Sequence, residues 1–230
     1  LALYGRGVYR TTNFGNNFTM VNSGLTNTNT RTLISSGGNL FVGTQGGAFV
    51  TSNNGANWNA INTGLANTDI NTFATSGLNL FAATAGGVYT TLNNGASWTP
   101  VNNGLTNTNV TSLAVTASVL YAGTASGGVF RSSNNGANWS AVNSNLGNLN
   151  IRSLQISGAN LFAGTTSGVY FTSNNGTSWS TVNNGLPAST TVLSFALHGS
   201  NIFAGTEAGL FYSTNNGQSW IDKNQGYTSV

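Results

Sequence analysis

The chain has 230 residues, of which six are basic, three acidic and none cysteine. Only 4% are charged, against about 25% in an average globular protein. The missing cysteine excludes disulfides, zinc–thiolate sites and thiol chemistry, and the scattered basic residues speak against nucleic acid, whose partners cluster Lys and Arg on one face.

No apolar run approaches the ~20 residues of a membrane-spanning helix, so no membrane span is expected. Trp, Phe, Leu, Ile and Val recur at fixed spacing with few charges opposing collapse, which argues against disorder. The chain opens at Leu1 inside a repeat, so it reads as a processed product or a piece of a longer polypeptide.

Taken in chain order, the elements repeat. A diverged copy, LALYGRGVYRTTNFGNNF, comes first, and clearer copies begin at Leu40, Leu80, Leu120, Leu161 and Ile202. Six repeats follow: 1–30 as a partial first, then 31–70, 71–110, 111–151, 152–191 and 192–230, read together as one domain over 1–230. In the repeat at 111–151 four strands are expected: Thr111–Thr116, Leu120–Thr124, Gly128–Ser133 and Trp139–Asn143. An NNG turn at Asn134–Gly136 joins the last two. Gly104-Leu105 and its equivalents carry the chain onward, and no helical period competes.

Four antiparallel strands in every ~40–45 residues make the blade of a propeller. The expected fold is therefore all-β, a β-propeller of four-stranded antiparallel blades, six in number. Consecutive apolar residues such as Leu161-Phe162-Ala163 fit sheets covered on both faces. The first copy lacks its first strand, which the tail 226–230 (GYTSV) is expected to supply; the alternative is further blades outside this segment.

The turns read TSNNGANW at 51–58, TLNNGASW at 91–98, SSNNGANW at 132–139, TSNNGTSW at 172–179 and STNNGQSW at 213–220, with TTNFGNNF at 11–18. They resemble the Asp box, S/T-x-D-x-G-x-x-W, of BNR-type propellers in sialidases and sortilin-like receptors. In that family the acidic residue accepts hydrogen bonds from the turn's own backbone. Asn13, Asn53, Asn93, Asn134, Asn174 and Asn215 stand in its place and can accept the same bonds. Gly15, Gly55, Gly95, Gly136, Gly176 and Gly217 then supply a positive φ, and Trp58, Trp98, Trp139, Trp179 and Trp220 fill space between blades.

Without hard carboxylate ligands the box is not a calcium site, and no metal or cofactor is expected. The resemblance carries the fold and not the catalysis. Sialidases of this kind use an arginine triad, a Tyr/Glu pair and an acid; the related xyloglucan hydrolases use two carboxylates. This chain has Asp69, Glu207 and Asp222, expected on different layers of different blades, whereas glycoside hydrolysis needs a facing pair at about 5–10 Å. No catalytic residue is assigned, and the chain is read as not an enzyme.

Departures between copies mark candidate sites. Aligning first strands on Leu33, Phe73, Leu113, Leu154 and Phe195 puts Arg31, Asn71, Thr111, Arg152 and Leu193 in one column. Arg10 and Arg131 share another, with Val50, Thr90, Phe171 and Tyr212. Both arginine pairs are candidates for an anion or polar-ligand site at a channel mouth, or are simply solvated side chains. His198 is read as an exposed loop residue. The functional expectation is a secreted or cell-surface binding or adhesion module for glycan or protein. A structural subunit of an extracellular filament, sheath or surface layer, assembling through a terminal blade, is the alternative. An engineered or recently amplified repeat protein without assigned role is the third.

Overall fold

The computed structural model describes residues 1–116 and 118–225. The closing strand expected at 226–230 lies outside the described residues. Two compact units account for the chain: Leu1–Val110 with Ser133–Asn138, and Thr111–Ser132 with Trp139–Val230.

The first unit carries three sheets. The first has β1 (Ala2–Leu3), β2 (Gly7–Arg10) and β3 (Thr19–Met20). The second has β4 (Thr30–Ser36), β5 (Asn39–Thr44), β6 (Gly47–Thr51) and β7 (Asn59–Ala60), and the third β8 (Ile70–Ser76), β9 (Asn79–Thr84), β10 (Gly87–Thr91) and β11 (Thr99–Pro100).

The second unit holds the sheets of the last three repeats. They are β12 (Val110–Val115), β13 (Leu120–Thr124), β14 (Val129–Ser132) and β15 (Ser140–Ala141); β16 (Ile151–Ser157), β17 (Asn160–Thr165), β18 (Gly168–Thr172) and β19 (Ser180–Thr181); and β20 (Val192–His198), β21 (Asn201–Thr206), β22 (Gly209–Ser213) and β23 (Ile221–Asp222). Every sheet is an antiparallel meander in chain order. The fold is that of a β-propeller, all-β and built of antiparallel blades; the first sheet has three strands and the other five have four.

Local chemistry sets the strand ends. Gly37 and Gly38 both take positive φ, 57° and 80°, the geometry of a tight hairpin turn whose twist suits its flanking strands. At the next turn the Thr44 hydroxyl donates to the Gly47 carbonyl and accepts from Gly46 N–H. Thr84, Thr165 and Thr206 do the same.

The fourth strand is only two residues long, against the five expected from Trp139 to Asn143. An asparagine cuts it short. Asn143 Oδ1 accepts from Val129 N–H at 2.7 Å and its Nδ2 donates to the Gly127 carbonyl, so the chain turns away there. Asn22, Asn62, Asn102, Asn183 and Asn224 make the same bond to Val8, Ala48, Val88, Val169 and Leu210.

The core lies where sheets meet within each unit. Phe41, Ile70, Phe73, Tyr89 and Trp98 form one cluster between the second and third sheets. Tyr121, Ile151, Leu161, Tyr170 and Trp179 form its counterpart in the second unit. Of the expected first-strand anchors Phe73 is buried, whereas Leu33, Leu113, Leu154 and Phe195 are half-buried; Ile70, Val110, Ile151 and Val192 are fully buried. The residue that opens the strand does the anchoring, because the chain bulges immediately after it.

Candidate functional site

The bulge explains the first arginine column. Register shifts fall between Thr30 and Thr32, Ile70 and Thr72, Ile151 and Ser153, and Val192 and Ser194. Arg31, Asn71, Arg152 and Leu193 are thus the extra residues of β-bulges, a device that re-aims a side chain out of the ladder. Their side chains do different things. Arg31 Nη1 lies 3.0 Å from Asp69 Oδ1 and donates to Asn71 Oδ1. Asn71 Nδ2 in turn donates to the Val110 carbonyl at 2.8 Å, and Thr111 Oγ1 to the Ile151 carbonyl at 2.7 Å. Arg152 is exposed and pairs with no described residue. Where Asp69 and Asn71 serve Arg31, the following repeat offers Arg152 only Thr191 and Leu193, the latter 51% exposed.

Arg10 and Arg131 do not share that place. They sit on β2 and β14, the third strand of the repeat, opposite Thr19 and Ser140 on the short peripheral strand. Arg10 Nη1 donates to the Asn54 carbonyl in the next repeat's turn at 3.2 Å. Arg131 lies across from Tyr121, whose hydroxyl donates to Asn175 Oδ1 at 3.2 Å, and the buried Nε of Arg131 has no hydrogen-bond partner among the described residues. The two pairs thus keep the separate columns that the alignment gives them, Arg31 and Arg152 on first strands and Arg10 and Arg131 on third strands.

The asparagine box is a turn that satisfies itself. Asn53 Oδ1 accepts from Asn57 N–H at 3.0 Å, and Thr51 Oγ1 accepts from Gly55 N–H at 3.1 Å. The same bond is made by Asn13, Asn93, Asn134, Asn174 and Asn215. Positive φ is needed at two consecutive positions, Asn54 (58°) and Gly55 (85°). The first repeat places Phe14 at the former with φ 56° and leaves its ring fully exposed.

Beyond the turn, the Trp locks adjacent sheets. Trp58, Trp98, Trp179 and Trp220 donate Nε1–H to the carbonyls of Val21, Ile61, Val142 and Val182 in the preceding repeat, at 2.7–2.8 Å. The backbone approaches closely as well: a Cβ on Gly64 would stand 2.2 Å from the Trp98 carbonyl oxygen.

Two joints, one in each unit, leave a groove between the third strand of one sheet and the box turn of the next that is open enough to hold a small molecule. One, of about 390 Å³, is lined by Leu1, Val8, Arg10, Val21, Leu33, Asn54 and Trp58 among others. The other, of about 660 Å³, lies wholly in the second unit and is lined by Asn160, Phe171, Ser180, Thr181, Val182, Asn183, Asn184, Asn216 and Gln218.

The three carboxylates lie on separate elements. Asp69 precedes β8 and holds Arg31; Glu207 is in the turn between β21 and β22; Asp222 on β23 accepts from Asn224 N–H at 2.7 Å. Among the described residues no group of three or more His, Cys, Asp or Glu could hold a metal. His198, expected in a loop, ends β20 with an exposed side chain. Among the described residues no helix is long and apolar enough to cross a membrane.

No curated protein sequence matches the chain. In fold it is similar to the extracellular domain of BT4673 of B. thetaiotaomicron, described as a one-component system: TM-score 0.80, 21% identity, over 98% of this chain and 32% of that one. It is also similar to an ancestral GH74 enzyme, with TM-score 0.73 and 20% identity over 86% of this chain and 31% of the other. YCF48 bound to a D1 peptide is a third, with TM-score 0.70 and 16% identity over 90% and 71%. The chain spans less than a third of the length of the first two, 32% and 31%. Residues 65–190, more than half of the sequence, match the family model of the DUF6242 β-propeller domain. The chain belongs to the DUF6242 β-propeller domain family.

Proposed function

We propose that this segment is a non-catalytic binding module that works outside the cell and holds a glycan or protein ligand in the grooves between its sheets. The observation that carries this reading is the groove at Phe171, a space of about 660 Å³ lined in part by the amides of Asn216 and Gln218 and the hydroxyls of Ser180 and Thr181, which have no hydrogen-bond partner among the described residues. Sites for small ligands combine an enclosing surface with a few such polar groups. Two of the three carboxylates support a role without hydrolysis: Asp69 is committed to an ion pair and Asp222 to capping a turn. Likeness to the extracellular domains of B. thetaiotaomicron proteins supports the location. The asparagine box is, in this reading, a neutral form of the Asp box, since its side-chain oxygen takes the bond a carboxylate would take.

The test is to incubate the purified chain with arrayed oligosaccharides and a displayed peptide library, and in parallel with xyloglucan. Specific retention with no new reducing ends is expected. Release of reducing ends, or no retention of any ligand, would sink the reading. One observation favours the second role, a subunit of an extracellular assembly: Phe18 and Met20 at the first sheet are 49% and 59% exposed, and Leu197 at the last is 38% exposed. Concentration-dependent polymers that Met20→Ser suppresses would support it.

A further inference from the structure

We infer that the groove between the fifth and sixth sheets is a subsite for a neutral oligosaccharide, with Phe171 as its platform and Asn216 and Gln218 as its hydrogen-bonding arms. This rests on the binding-module reading and names the ligand class for one site within it.

The case begins with where the copies diverge. In a repeat protein the scaffold needs the same residue at the same place in each copy, so a departure that the sibling joints do without is free to serve a ligand. Position 171 is Val50 and Thr90 in two earlier sheets; here it is Phe. Position 218 is Ala56, Ala96 and Ala137 in three earlier boxes; here it is Gln. Thr181 stands where Pro100 does. All of these departures line one groove.

The chemistry of the lining is uniform. None of its side chains is ionisable, so an anionic or cationic ligand would find no opposite charge and would shed water at a cost. The joints at Arg10 and Arg131 differ in this respect, since each carries a guanidinium. The side chains of Asn216, Gln218, Ser180 and Thr181 have no protein partner among the described residues, and all four are exposed. A primary amide both donates and accepts, and a hydroxyl does the same. A sugar presents that same pairing on each of its hydroxyls.

Phe171 supplies the other half. Its ring is half-buried and held against Phe162 with centroids 5.2 Å apart and a tilt of 51°. A fixed aromatic face offers apolar contact at little entropic cost, which suits the C–H face of a pyranose ring. The volume of about 660 Å³ falls within the ~300–1,000 Å³ of small-ligand sites.

The experiment titrates the full chain with three neutral tetrasaccharides (β-1,4-glucan, β-1,4-mannan and β-1,3-glucan), with tetragalacturonate as the charged control. Phe171→Thr and Gln218→Ala restore the residues of sibling repeats, Thr90 and Ala96, so both variants keep a side chain the fold already tolerates. Ala96→Gln serves as the control at another joint. At least one neutral sugar is expected to bind, with affinity at least tenfold weaker in each of the two variants and unchanged in Ala96→Gln. The unfolding curve of Gln218→Ala is expected to superimpose on the parent's, and Phe171→Thr, which loses packing against Phe162, to unfold cooperatively at a lower midpoint. Undiminished affinity in both variants overturns the subsite while leaving a binding module intact. So does binding only of tetragalacturonate, or of library peptides with no neutral sugar. Failure of every sugar and every peptide overturns the binding module itself.

Discussion

At the outer joint, Trp58, Trp98, Trp179 and Trp220 place the same indole N–H on the same backbone carbonyl of the preceding repeat. In the bulge column the side chains differ from copy to copy. Arg31 holds Asp69, Asn71 and Thr111 hold backbone carbonyls, Arg152 holds no described partner, and Leu193 stands in solvent. Burial separates the two regions. Each Trp is at most 4% exposed, so a lost partner leaves an orphaned polar group, costing about 1–3 kcal/mol. At the bulge, water replaces any partner that is lost, so the position tolerates drift from copy to copy.

The sharpest way to break that comparison is at the joint itself. Trp98→Ala is expected to destabilise the chain by about 3–5 kcal/mol, read as a lower urea midpoint. A loss below about 1 kcal/mol would show that the joint is not what holds the sheets. Asn183→Ala comes next. It removes the acceptor of Val169 N–H, with an expected cost of about 1–3 kcal/mol and faster amide exchange at Val169 as the local signature.

At the bulge the effects should be small and unequal. Asp69→Asn should cost about 0.2–1 kcal/mol, because the pair is part-exposed and screened by salt; the difference from the parent should shrink in 1 M NaCl. Arg152→Gln should change stability by less than about 0.5 kcal/mol and show no salt dependence of its own. Equal losses at Asp69 and Arg152 would erase the distinction between the two bulges.

Much of this was legible in the residues. The repeat, its strands and the box turn follow from spacing and from the turn chemistry of Asn and Gly. The bulge was not legible, because an extra residue leaves the apolar alternation looking like a strand aligned one place along. That is why Leu33 and Leu154 looked like anchors while Ile70 and Ile151 carry the burial. The second asparagine, Asn62 and its equivalents, was missed although its signal was present: it lies four residues after each Trp. It was lost among neighbours of the same kind, since an amide that wets a surface and one that supports a strand are the same letter. The groove at Phe171 was half legible. Its column was noted for the arginines, yet only the structure joins Phe171 to Gln218 across two repeats.

The box turn bears on how the protein ages. Asparagine followed by glycine is the sequence most prone to deamidation, which begins when the glycine nitrogen attacks the asparagine side-chain carbonyl. The turns at Asn54-Gly55, Asn94-Gly95, Asn175-Gly176 and Asn216-Gly217 each carry that hazard. In each, the glycine N–H is already bonded to a hydroxyl at 2.9–3.1 Å, that of Thr51, Thr91, Thr172 or Ser213, and the glycine is buried. The bond that shapes the turn thus also withholds its nucleophile, so these four turns should keep their amides for as long as that one hydroxyl stays in place.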